Sequence, residues 1–258
     1  LEPSILLRSE SWQIVLFLFF AMLLLVVLGL FIGKKYYRAF EKEATLQGAL
    51  FAILGLLLAF TFSMAVSRYD RRIEIIIEEA NDIGTAILRA DLYPEPERQL
   101  FRDDFKRYVE ARIAFFGAGA DLKKINSTRN EAAAISQQLW DRATRLSTDP
   151  RVTSVASMQM IPALNAMIDI ASTRWHMSLA RVPEPVLYLL FILICICSFY
   201  TGFILSGKEQ RDWLGIIGFC LVICTIVHLI IDIDRPRRGM ISMKQTNEAI
   251  IELRQMFE

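Results

Sequence analysis

The sequence predicts an all-α membrane protein, with four transmembrane helices and a helical extramembrane bundle between the second and third. Three observations carry that reading. Of the 258 residues, 54% are apolar, and the mean hydropathy is +0.37. The apolar residues gather in four blocks, at 14–32, 49–66, 186–205 and 214–231, none of which contains Asp, Glu, Lys or Arg. Strand signals are absent, with no alternating β-branched run and no Asn-Gly hairpin. Each block is about 18 to 20 residues long, enough to cross a hydrocarbon core of roughly 30 Å as a helix.

Charge narrows the function classes. Lys and Arg number 29 against 28 for Asp and Glu, a net charge of +1. That leaves no positive excess to displace counterions, so nucleic acid is not an expected partner. The partner that the composition does imply is the lipid bilayer.

The first block is too long for a cleaved signal sequence and lacks a small-residue cleavage site before Lys34 and Lys35. Trp12, Tyr36, Tyr37, Tyr188 and Trp213 sit at block ends, where amphipathic rings favour the headgroup level. The chain divides as 1–66 (two spans), 67–184 (helical bundle) and 185–258 (two spans and a C-terminal tail). In the bundle, Ile73, Ile76, Ile77, Ala80, Ile83 and Ile87 recur at helical spacing, as do Phe101, Phe105, Tyr108 and Ile113. Pro94-Glu95-Pro96 ends the first of these helices and Gly117-Ala118-Gly119 the second. A third is expected at about 130–146, stopped by Asp149-Pro150, and a fourth at about 152–181. No proline falls between residues 48 and 92, so span and first bundle helix should form one rod of roughly 45 residues, about 65 Å long.

With four spans, both termini and the bundle share a side. Eight arginines flank that side (Arg8, Arg68, Arg71, Arg72, Arg181, Arg235, Arg237, Arg238), against six basic residues opposite (Lys34, Lys35, Arg38, Lys42, Lys208, Arg211). The excess predicts that the bundle and both termini are cytoplasmic, and the inner (plasma) membrane is the expected location.

No HExxH, GxSxG or Gly-rich phosphate loop is present, so the sequence advertises no enzyme, and no cofactor or metal is expected. Cys220, Cys224 and His228 share one face of the fourth span. They read either as small packing residues or as an intramembrane metal or redox site. His228 reads either as a functional candidate, because an ionisable group in a span is one by default, or, lying within a turn of the interface, as a hydrogen-bonding partner of a neighbouring helix.

The second span is the most informative. Gly48, Ala52, Gly55, Ala59 and Ser63 form a small-residue face that allows close helix approach. Another face carries Ile53, Leu56, Leu57, Phe60 and Met64. Lipid would accept it, and so would an oligomer axis, where it would form an apolar constriction that gates by dewetting. Past the span, Arg68, Arg71 and Arg72 match Asp232 and Asp234 at the exit of the fourth span, and pairing between the two sets is expected. Glu74, Glu78, Glu79 and Asp82 line the first bundle helix, either as a solvated face or as a cation-sensing patch.

Leu56-Leu57-Leu58-Ala59-Phe60, followed by Tyr69-Asp70-Arg71-Arg72-Ile73-Glu74, is similar to the second-helix signature of bestrophins. The whole chain more closely resembles a bacterial bestrophin-like family of no assigned function. Its marks are Glu78-Glu79-Ala80-Asn81-Asp82-Ile83-Gly84-Thr85, Arg89-Ala90-Asp91-Leu92 and Asp232-Ile233-Asp234-Arg235-Pro236. The resemblance spans about residue 48 to the C-terminus. It implies a homo-oligomeric, pentameric ion channel for small inorganic anions, with a neck at Ala52, Leu56 and Phe60 that Met64 continues. The sequence departs from the bestrophin pattern in having Thr61 rather than Arg after Phe60. It also lacks the acidic calcium-binding run after the fourth span. A non-conducting membrane scaffold whose bundle docks a partner is the alternative.

Overall fold

The computed structural model describes residues 10–36, 44–207, 212–235 and 244–258. Among the basic residues counted for sidedness, Arg8, Arg38, Lys42, Lys208, Arg211, Arg237 and Arg238 lie outside the described residues, as do Tyr37 and Pro236. The described chain is all-α. Its helices are α1 (Ser11–Tyr36), α2 (Ala44–Arg89), α3 (Glu97–Gly117), α4 (Leu122–Leu146), α5 (Ser154–Leu179), α6 (Glu184–Leu205), α7 (Trp213–Ile233) and α8 (Lys244–Ile251). Short 3₁₀ turns follow α2 at Ala90–Leu92 and α8 at Glu252–Phe257. Four helical stretches are long and apolar enough to cross a membrane, and they contain the four blocks. The chain forms two compact units, a membrane unit (Leu1–Arg68 and Arg181–Arg235) and a helical unit (Tyr69–Ala180 and Pro236–Glu258).

The membrane unit packs one stripe of each span inward. Leu18, Met22, Val26 and Leu30 of α1 repeat every four residues and are buried with Leu54, Leu58, Leu190, Ile194, Cys220 and Val227. The rest of each span stays apolar and exposed, including Phe17, Phe20, Leu24, Ile192 and Leu214. A helix that is apolar on every side belongs in lipid. Glycine sets the approach of α1 to α6. A Cβ on Gly202 would lie 1.9 Å from the Val26 carbonyl oxygen, and one on Gly29 would lie 2.1 Å from that of Phe199. These backbones touch, which gains dispersion where lipid supplies no hydrophobic drive. The small-residue face of α2, expected to allow close approach, meets nothing at Gly48 and Gly55 within 4 Å among the described residues.

α2 is one helix of 46 residues, unbroken from Ala44 to Arg89. The 3₁₀ turn carries its direction to Leu92, before Pro94 and Pro96. In the helical unit, Ile83, Ile87, Phe101, Phe105, Leu139 and Leu164 centre the core. α4 begins eight residues earlier than its apolar spacing suggested. Asp121 caps it by accepting from the Lys123 and Lys124 amides at 2.9 and 3.2 Å, satisfying two of the first-turn donors that would otherwise be orphaned. Thr153 caps α5 through the Ala156 amide. The C-terminal residues, expected as a tail of the spans, group instead with the helical unit. Ile250 is fully buried, and Leu253, Met256 and Phe257 pack on the same core.

Candidate functional site

Two places gather the side chains singled out by the sequence. On α2 in the membrane unit, Leu54, Leu58, Thr61 and Ala65 point into the unit's core. Thr61 satisfies its buried hydroxyl by donating to the Leu57 carbonyl at 2.7 Å. The opposite face has no cover among the described residues. Leu56 is 58% and Phe60 61% exposed, and Ala52, Gly55, Ala59 and Ser63 are exposed beside them. Met64 departs from this pattern. Each four-residue step turns the helix about 40° past a full circle, so the 56–60–64 stripe drifts until Met64 packs against the core.

Past the span, Arg71 and Arg72 have local partners. Arg68 keeps Nη1 buried, with no hydrogen-bond partner among the described residues. Arg71 donates to Glu74 at 2.9 Å. Arg72 donates from Nη2 to the Ala180 carbonyl at 2.7 Å and from Nε to that of Met177 at 3.4 Å. In the membrane unit, Asp232 accepts from the Ser11 hydroxyl at 3.4 Å and Asp234 from the Val182 amide at 2.9 Å. On α7, Cys220 and Cys224 are buried free thiols. The Cys224 sulfur lies 3.9 Å from that of Met22. His228 is half-buried and its Nδ1 has no hydrogen-bond partner among the described residues. Among the described residues no three His, Cys, Asp or Glu side chains are arranged to hold a metal ion.

The second place lies in the helical unit and was not foreseen. The acidic residues of α2 separate. Glu78 is exposed and Glu74 belongs to the Arg71 pair, whereas Glu79 is 0% exposed. Its two oxygens meet Arg112 of α3 and Arg174 of α5. Arg174 also donates to the Asn247 side-chain oxygen at 2.6 Å, which ties α8 into the cluster. The guanidiniums lie over aromatic faces, Arg174 at 3.6 Å from the Phe116 centroid and Arg112 at 4.9 Å from that of Phe115. Such stacking offsets part of the loss of hydration. Burial opposes the charge on Arg112, but the Glu79 carboxylate outweighs it and holds the guanidinium above its ordinary value. Tyr108 beside them is pushed up to about 12, chiefly by burial. Asp82 is raised by burial and by the charges of Glu78 and Glu79. The signal for this cluster was spacing: Glu79 lies three residues after Ile76 and four before Ile83, on the helix's own buried stripe.

Comparison with known proteins agrees with this architecture. A family model described as the bestrophin-like domain matches residues 15–247. No curated protein matches the sequence. Among solved structures, the chain is similar to a bacterial bestrophin homologue from Klebsiella pneumoniae. A tryptophan-to-alanine variant of that protein is 14% identical, with a TM-score of 0.69 over 97% of each chain. A tyrosine-to-alanine variant is 15% identical, with a TM-score of 0.67 over 92% of this chain and 97% of that one.

Proposed function

The chain belongs to the bestrophin-like family, and we propose that it assembles as a homo-oligomer, a pentamer, that conducts small inorganic anions across the inner (plasma) membrane. The observation that carries this reading is the uncovered face of α2, where Leu56 and Phe60 stand exposed beside a stripe of small residues, Ala52, Gly55 and Ala59. Copies meeting around an axis would close those side chains into apolar rings, with Met64 at the margin. The small residues Ala52, Gly55 and Ala59 beside them would let the copies approach closely. Rings of this kind exclude water when narrow and pass hydrated ions when they part. The surplus of arginines flanking one side supports a cytoplasmic helical unit and cytoplasmic termini.

The test is current through the purified protein in planar bilayers, with the subunit number counted by cross-linking. Replacing Leu56 and Phe60 together by Ala removes the rings and should raise conductance several-fold. A correctly assembled protein that passes no current in either form would overturn the proposal.

A further inference from the structure

The helical unit holds a pocket of about 380 Å³ among α3, α4 and α5, a volume that suits a small organic molecule. Its lining is cationic: Arg112 and Arg129 contribute to the wall, and no carboxylate does among the described residues that line it. Arg112 is 3% exposed. Its Nη2 pairs with Glu79, but its Nε has no hydrogen-bond partner among the described residues, and an unmatched donor on a buried charge is costly. Arg129 is held differently. Its guanidinium lies over the Trp175 indole at 4.5 Å from the ring centroid. A cation–π contact uses the guanidinium's flat face and leaves the N–H groups at its edge directed outward, in the fork that matches a carboxylate or phosphate. No ion pair engages Arg129 among the described residues. Ala132, Ala133, Ile168 and Ala171 form an apolar part of the wall that would take the body of a ligand, while Ser136, Ser172 and His176 add polar groups.

We propose that this pocket binds a small molecule bearing a carboxylate or phosphate, with its anionic group held by the Arg129 fork beside Arg112 and its body on the α4–α5 wall. This site is separate from the α2 face, and its test requires no current. Full-length protein in detergent is titrated with benzoate and, in parallel, with inorganic phosphate, following emission from Trp175. Trp175→Phe identifies that residue's share of the signal. Variants Arg129→Gln and Ser136→Glu, the second placing a carboxylate in the lining, leave the Glu79 cluster intact, and circular dichroism confirms that they fold. Saturable binding of either anion, weakened about tenfold or more by both variants, is the expected result. Benzoate binding identifies a carboxylate ligand and phosphate binding a phosphorylated one. No saturation by either anion up to about 10 mM, or saturation unchanged in Arg129→Gln, would overturn the proposal.

Discussion

The two units solve the problem of holding helices together in opposite ways. In the membrane unit the closest packing is between backbones, where Gly29 and Gly202 bring α1 against α6. In the helical unit it is between charges, where Glu79 meets Arg112 and Arg174. The solvent explains the difference. Lipid tails are as apolar as leucine, so burying leucine in the spans gains little and only close fit separates protein from lipid. In water, apolar burial drives the helical unit together, and the drive is strong enough to carry a buried carboxylate and two guanidiniums into the core. Rigidity in the first unit depends on the absence of side chains. In the second it depends on their pairing.

Breaking the charge cluster should have the largest effect. Glu79→Ala leaves two guanidiniums buried against one another and should destabilise the helical unit by about 3–5 kcal/mol, the range for stripping one partner from a buried pair. Replacing Glu79, Arg112 and Arg174 together by Leu, Met and Met should cost much less, because no orphaned charge remains. Thermal unfolding followed by circular dichroism separates the cases. A triple variant as unstable as the single one would show that the cluster acts through shape rather than charge.

The glycine contact comes next. Gly202→Ala places a methyl 1.9 Å from a carbonyl oxygen on the neighbouring helix and must push α1 and α6 apart, at a cost of about 1–3 kcal/mol. Gly218 of α7 has nothing within 4 Å, so Gly218→Ala should be neutral or stabilising by about 0.5–1 kcal/mol, since alanine loses less entropy in a helix. Equal losses from the two substitutions, by thermal shift in detergent, would mean that close approach is not what Gly202 supplies.

Much of this was legible in the sequence, and the gaps have physical reasons. The four spans and the unbroken α2 could be read because an apolar run without charges, and a helix without proline, have few alternative structures. The start of α4 was missed because its first turn, Leu122-Lys123-Lys124, is polar and only the Asp121 cap announces it. The C-terminal segment reads as a tail in the sequence because eight residues of α8 are too short to declare a stripe, although Ile250, Leu253 and Met256 keep helical spacing. Glu79 was grouped with its acidic neighbours by proximity in sequence, while the helix repeat separates Glu78 and Glu79 by 100°. Which glycines serve as contacts could not be read at all, because that depends on which helices are neighbours.

The smallest expected effects are two carboxylates of the helical unit that should respond to pH with opposite signs. Glu110 accepts from Arg254 through both oxygens at 2.7 Å, and these hydrogen bonds hold its carboxyl below the usual value. A group lowered by folding contributes stability above its unfolded pKa, near 4.3, and loses it as the pH falls through the folded value. The pair is half-exposed and therefore weak. Its loss should appear as faster amide exchange in residues 244–257 below about pH 4, rather than as global unfolding. Asp82 runs the other way. Burial, then Glu78 and Glu79, raise its carboxyl, so its charge opposes folding at neutral pH, and the penalty disappears as the pH falls through the raised value. Asp82→Asn should therefore add slight stability at pH 7 and none below about pH 3.9, while Glu110→Gln should loosen the C-terminal segment at pH 7 and change nothing in acid. If Glu110→Gln left amide exchange in residues 244–257 unchanged at pH 7, the Arg254 tie would not be what fastens the C-terminal segment to α3.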